Sequence, residues 1–261
     1  MKKFLIFILM FFSLYGYSQM QEIFTENLIK SKFDSIHIYA NKNGKLLLTK
    51  IISYDKQKQE ICLNDKDNAE KSNVLFTIFK ISNDYKIIEE KKFYKGLKIK
   101  NNDLKDTLVN LVTKYSYEKN NIQKFYYDSK NKLSKKEFQI MDGKGRKTEI
   151  INTLYLDNDI VLSDIEKYFW YSKGSGYRLE SEQFTFPRQK FIGDYELDEY
   201  GDPISVKGKL EVEGKTEEIK KTKFVIHKKE LDEKGNVVKI FEIEKGKRIL
   251  KEVRQIFYGG K

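Results

Sequence analysis

The residues of this chain that could do chemistry are two histidines, one cysteine and many carboxylates, and their spacing decides whether they do. His37 and His227 lie near opposite ends of the sequence, each at an alternating position of a β-type run. A general base needs a partner group within hydrogen-bond reach, and no catalytic signature surrounds either imidazole. No G-x-S-x-G elbow, H-E-x-x-H pair or C-x-x-C pair occurs. Cys62 sits in Glu60-Ile61-Cys62-Leu63, a strand pattern in which a thiol serves as a small apolar side chain. The expectation is a protein that is not an enzyme, with no catalytic residue, no metal ligand and no cofactor. A hydrolase built on Asp/Glu pairs is the catalytic alternative, because every sheet face here offers carboxylates.

Three clusters invite binding chemistry. Asp194, Glu196, Asp198, Glu199 and Asp202 are dense enough to suggest a cation site, but EF-hand spacing and glycine placement are missing, so they read as solvated turn residues. Residues 220–261 carry 13 Lys/Arg against 6 Asp/Glu, interleaved with Phe and Tyr. In an exported protein that balance points to an envelope polyanion rather than nucleic acid, or to lysines guarding strand edges against aggregation. Tyr168, Trp170 and Tyr171 form the one dense aromatic patch; it reads as core, and otherwise supplies the binding candidates, as a sugar-stacking or protein-docking surface.

These residues must be positioned by strands. Of 261 residues, 34% are charged, 17 are Tyr, 18 are Phe and only 2 are Pro. Charged residues interleaved with aromatic and β-branched ones produce strands with one apolar and one wet face, the pattern of antiparallel sheet. Residues 204–212 alternate cleanly: Ile204, Val206, Leu210 and Val212 against Ser205, Lys207, Lys209 and Glu211. Asp128, Asp198 with Gly201, and Asp232 with Gly235 mark turns, where an acid opens the reversal and glycine supplies positive φ. The unit is strand, D-x-x-G turn, strand, x-G-K turn, strand, and its recurrence predicts an array of hairpins. One segment differs. Leu104, Leu108, Leu111 and Val112 fall at i, i+4, i+7 and i+8, which predicts a helix over 103–114, with a strand from Thr107 to Tyr117 as the competing reading because Val109, Thr113 and Tyr117 also suit a sheet.

Residues 1–18 read as a secretory signal peptide: Lys2 and Lys3, then an apolar run from Phe4 to Phe12, then Gly16 and Ser18 before a cut at Gln19. Three regions follow: the leader (1–18), an N-terminal β region with the helix (19–115), and a hairpin-repeat region (116–261) continuous with the preceding sheet. No transmembrane segment is expected after cleavage.

The strings Tyr127-Asp128, Leu197-Asp198-Glu199-Tyr200-Gly201-Asp202 and Leu231-Asp232-Glu233-Lys234-Gly235-Asn236 resemble the YD-type hairpin repeats of RHS-like proteins. Asn43-Gly44-Lys45 is more distantly similar to MORN-like repeats. The resemblance implies extended antiparallel sheet and no family-wide active site. The fold expected is mainly β: an antiparallel meander of repeated hairpins forming an extended, twisted or partly rolled sheet, with one or two short helices. The function expected is a periplasmic or cell-surface binding or scaffold module whose partner is an unknown protein or an envelope polyanion. An immunity-type protein neutralising a secreted toxin is the alternative, and a lipid or glycan carrier, or an enzyme, follows if the sheet encloses a cavity.

Overall fold

The computed structural model describes residues 26–31, 33–66, 74–100, 103–172, 174–185 and 187–259; the expected leader lies outside them. A short helix, α1 (Glu26–Lys30), precedes seventeen strands. The first six are β1 (Phe33–Lys42), β2 (Lys45–Asp55), β3 (Glu60–Asp65), β4 (Val74–Ile81), β5 (Ile87–Lys100) and β6 (Asp103–Glu118). Then come β7 (Asn121–Tyr127), β8 (Leu133–Met141), β9 (Lys147–Leu156), β10 (Asp159–Trp170), β11 (Gly176–Gln183) and β12 (Gln189–Leu197). The last five are β13 (Pro203–Val212), β14 (Lys215–Lys223), β15 (His227–Leu231), β16 (Val237–Glu244) and β17 (Lys247–Tyr258). The chain is thus an antiparallel meander, as its alternation predicts.

The helix expected over 103–114 is instead strand β6. Its helical leucine spacing coincides with Thr107, Val109, Thr113, Tyr115 and Tyr117, residues that suit a pleated surface. The neighbour decides between the two. β5 offers a continuous ladder from Lys100↔Asp103 to Glu89↔Lys114, which a helix would forfeit. β6 also runs straight through the expected boundary between 115 and 116, so one sheet continues across it.

The ladders place the strands in a ring with one break. Every strand but β14 pairs with the next in sequence, and β17 returns to pair with β1, Ile36 opposite Ile256. The one missing ladder is between β14 and β15. From β15 through β16, β17 and β1 to β14 there are sixteen antiparallel steps, an even number, so β14 and β15 run in the same direction. They are successive halves of one path. Partner choice changes in the connector: the Phe224 amide donates to the Ile204 carbonyl of β13 (2.9 Å), and the Ile226 carbonyl accepts from the Ile243 amide of β16 (2.9 Å). Three connector residues span at most about 14 Å, so the sheet must curl until its two edges meet there, although no ladder closes it. β14, left with one free edge, is exposed along nearly its whole length and carries Lys215, Lys220, Lys221 and Lys223. Lysines on a free edge discourage pairing with another chain.

Two kinds of turn make the reversals. At Asn43-Gly44, Asp157-Asn158, Glu213-Gly214 and Lys245-Gly246 both central residues have positive φ, the two-residue hairpin matched to strand twist. The second kind recurs at 82–86, 128–132, 142–146, 198–202 and 232–236. The first residue's amide donates to the fifth residue's carbonyl, and its own carbonyl accepts from the fourth residue's amide. Where the first residue is Asp, its Oδ1 accepts the second and third of these loops' remaining amides: Asp232 binds the amides of Lys234 (2.9 Å) and Asn236 (2.8 Å), and Asp128, Asp142 and Asp198 do likewise. The fourth residue must be left-handed, with φ of 78° at Gly235. Turn 232–236 is also clamped to the chain's last strand, since the Tyr258 hydroxyl donates to Asp232 and Lys234 lies 3.4 Å from the Tyr258 ring centroid.

Cross-strand register carries a single inner face around the ring. It runs through Ile36, Ile52, Leu63, Thr77, Lys92 and Thr113 and on through Tyr126, Lys135, Leu154 and Leu162 to Gln183 and Val212. Over β1–β4 this face is apolar: Phe33, Ile36, Ile38, Ile52, Ile61, Leu63 and Phe79 pack with Leu28 and Ile29 of α1. A second core of Leu179, Phe191, Tyr195, Val206 and Leu210 fills β11–β13. There Gly193 lies opposite Gly208, and a Cβ on Gly208 would sit 2.3 Å from the Ile192 carbonyl oxygen, so only glycine permits this approach. The opposite face of β11–β13 is wet, with Arg178, Glu180 and Glu182 followed by Lys190 and Asp194, then Lys207, Lys209 and Glu211.

Candidate functional site

Between the two apolar cores, the inner face of β7–β10 is polar and largely buried. Glu137 is its centre. Its carboxylate accepts from Lys124 Nζ (2.8 Å), Lys135 Nζ (3.3 Å), the Tyr126 hydroxyl (3.1 Å) and Gln139 Nε2 (2.5 Å). Burial is the largest single influence on this carboxyl and would raise its pKa. Lys124, Lys135 and the hydrogen bonds together outweigh burial and hold the pKa down at about 2. These side chains meet because Lys124 lies directly opposite Glu137 and Glu137 directly opposite Asn152.

Beyond it, β9 contributes Asn152 and β10 carries two carboxyls, Asp164 and Glu166, of opposite character to Glu137. Asn152 Nδ2 donates to Asp164 (2.9 Å), and the Tyr168 hydroxyl donates to Glu166 (2.5 Å). Burial raises the pKa of both acids, and Asp164 and Glu137 raise that of Glu166 further. Burial, reinforced by the Lys124 charge, lowers that of Lys147. Asn152 is 7% exposed, yet its Oδ1 accepts no hydrogen bond, an open acceptor inside the cluster.

An aromatic ladder continues the same face. Trp170 lies 5.0 Å from Tyr177, ring centroid to ring centroid, Tyr177 stacks on Tyr195 at 5.0 Å, and Tyr195 stacks on Phe224 at 6.4 Å. Trp170 Nε1 donates to the Lys147 carbonyl (2.7 Å), and the Arg146 guanidinium lies 5.0 Å from the centroid of its ring.

The three aromatic candidates therefore separate. Tyr168 and Trp170 share the inner face with the buried acids. Tyr171 is 40% exposed beyond the strand end and donates its hydroxyl to Asp194 (2.5 Å). The acidic cluster of 194–202 is dispersed among separate partners. Asp194 pairs with Arg178, Glu196 with Lys221 and Ser205, and Asp202 with Lys229, while Asp198 holds its own turn and Glu199 lies 3.9 Å from Lys228. Among the described residues no group of three or more His, Cys, Asp or Glu is placed to hold a metal ion. His37 packs edge-on against Phe257 (5.0 Å), and His227 lies opposite Glu242. Cys62 is half-buried, and burial pushes its thiol pKa up. Asp128, Asp198, Gly201, Asp232 and Gly235 all lie in the five-residue turns. Glu137, Lys124, Asp164, Glu166 and Asn152 belong to no sequence motif, and only strand register unites them.

No family model matches this chain, and no curated protein matches it. Among solved structures it is similar to a porin-like protein from Bacteroides vulgatus ATCC 8482, with 15% identity and a TM-score of 0.37 over 87% of this chain and 98% of that one. It is also similar to a porin-like protein from Bacteroides uniformis ATCC 8492, with 9% identity and a TM-score of 0.35 over 86% of this chain and 97% of that one. No helix among the described residues is long and apolar enough to cross a membrane.

Proposed function

We propose that this chain is an exported, non-catalytic binding scaffold of the bacterial envelope, and that its ligand face is the inner surface from β7 to β12. The observation that carries this reading is the continuity of a buried hydrogen-bonding cluster with an aromatic ladder on one sheet face. Aromatic faces stack on rings while amides and carboxylates bind hydroxyls, a combination suited to an uncharged or zwitterionic glycan. Catalysis fits less well, because Glu137 is held ionised by four donors and Asp164 and Glu166 each have a fixed partner. A polyanion also fits less well. Lys221, Lys229, Lys239 and Lys251 of the basic C-terminal stretch each pair with a neighbouring acid. The charged outward residues of β11–β13 favour work in water, since Lys or Arg facing lipid at mid-depth costs about 2–4 kcal/mol each.

Trp170 is the only tryptophan in the chain, so fluorescence excited selectively at tryptophan reports on this face. Titration with envelope oligosaccharides is expected to shift or quench that emission, and Tyr177→Ala is expected to weaken the effect. A folded protein whose Trp170 emission ignores every glycan offered would end this reading.

A further inference from the structure

Away from that face, in the apolar sector of the ring, a cleft of 220 Å³ opens between the turn joining β2 to β3 and the turn joining β4 to β5. Tyr54, Lys56 and Gln59 line it from one side, and Ser82, Asn83 and Tyr85 from the other. Its volume is about seven times the share of one liquid water, roughly 30 Å³, which is room for a single small ring. We propose that this cleft binds one neutral sugar ring, held between Tyr54 and Tyr85 and read by the amides of Gln59 and Asn83.

Backbone geometry is the first support. Among the described residues five turns share one hydrogen-bonding pattern, and their fourth residue is left-handed. Four of them place Asn131, Gly145, Gly201 or Gly235 there, residues that tolerate it. The fifth places Tyr85, with φ of 62°. A bulky aromatic residue in that region is an outlier, and such strain concentrates at ligand clamps. The turn on the other side of the cleft has Gln59 at φ 54°, so strained residues face the opening from both sides.

The lining chemistry selects the ligand class. Lys56 is neutralised by Asp34 at 2.7 Å, which leaves no free cation for an anion. Gln59 Nε2 donates to Asn83 Oδ1 (2.7 Å), joining the two turns through an amide pair whose remaining amide groups suit hydroxyl partners. Tyr54 and Tyr85 line the opening from its two sides, and both pack against the apolar core, Tyr54 with its ring 5.6 Å from that of Phe33. Apolar ring faces with amides at the edge fit the alternating C–H and O–H surfaces of a sugar.

Saturation-transfer difference NMR with glucose, galactose and N-acetylglucosamine on the mature chain tests this. At least one sugar is expected to receive saturation. Tyr85→Asn, which installs a residue another turn already uses, and the exposed change Asn83→Ala are each expected to weaken binding about tenfold, the scale of one lost contact. Sugar on the β7–β12 face would add its own signal, so the cleft variants are compared within a Trp170→Phe background; transfer that persists there and falls with the cleft substitutions belongs to this cleft, and the two sites can fail separately. No transfer to any of the three sugars, transfer unchanged in both cleft variants, or transfer abolished by Trp170→Phe would each overturn the proposal.

Discussion

The inner face of β1–β4 and the inner face of β7–β10 rest on the same ladder geometry and are filled in opposite ways. In the first, Ile52 is 0% exposed and surrounded by Phe33, Ile36, Ile61 and Leu63. In the second, Lys124 and Gln139, equally part of the inward pleat, are 8% and 3% exposed and surround a carboxylate. Burying apolar atoms is favourable wherever they sit. Burying charge is tolerable only when every member is paired. The difference teaches that this sheet does not need a uniform core: its ladders hold the face together, and side chains then decide whether a sector is dry or polar. Stability should respond to substitution in a different way in each.

The largest loss is expected from the dry sector. Ile52→Ala removes side-chain atoms that have no solvent to replace them, at a cost of about 4 kcal/mol. Chemical denaturation should show it as a lowered midpoint with an unchanged slope. A loss below about 1 kcal/mol would mean that the sector collapses freely and is not a packed core.

Removing one member of the charged sector should cost somewhat less. Lys124→Met leaves Glu137 with Lys135, Tyr126 and Gln139, so about 2–3 kcal/mol is expected rather than the full cost of an orphaned buried charge. Adding Glu137→Leu to it should recover most of that, since two apolar groups then replace the pair, and the double-mutant cycle measures the coupling. If the double variant is worse than either single one, the sector is specified by charge, and the comparison with β1–β4 is sharper than packing alone explains. The pH dependence has a definite sign. A carboxyl whose pKa is lowered on folding contributes fully above the ordinary value of 4.5, and its contribution is lost as pH falls toward about 2. Wild type should therefore lose stability through that window, and the Lys124→Met, Glu137→Leu double variant should lose less.

Much of the framework was legible in the chain because turn chemistry is local. Asp232 and Gly235 announce a reversal through one side chain's reach and one backbone angle, and alternation such as Ile204 to Val212 announces a half-wet strand. The reversal at Ser82–Tyr85 is legible too, yet Tyr85 defeats the reading of its backbone, since nothing local marks a tyrosine as left-handed. β6 defeated it too, because leucines at helical spacing and β-formers share the same residues and only the partner strand β5 separates the two outcomes. The polar cluster was illegible for a related reason. Lys124, Glu137, Asn152 and Asp164 come from four strands, and their meeting depends on bulges that shift register at Tyr126/Tyr127 and Ile160/Leu162. The return of β17 to β1 depended on the same long-range pairing, as no residue of β17 signals that β1 will receive it.

Glu166→Gln is the smallest change and the most specific test of the contrast. Unlike Glu137, Glu166 has its pKa raised, by burial first, with the neighbouring acids adding to it. Its ionised form is therefore disfavoured in the folded protein, and at neutral pH it lowers stability, a deficit relieved as pH falls through the raised value. Glutamine keeps the shape and still accepts the Tyr168 hydroxyl, but carries no charge to bury. The variant should be more stable than wild type at neutral pH by on the order of 1 kcal/mol or less, with the difference vanishing as pH falls well below the ordinary value of 4.5, where the carboxyl is protonated in both states. Thermal unfolding across that range measures the convergence. A variant less stable than wild type at neutral pH would show that Glu166 is ionised and favourably paired. The β7–β10 face would then be a structural ion-pair network with no poised polar surface left for a ligand.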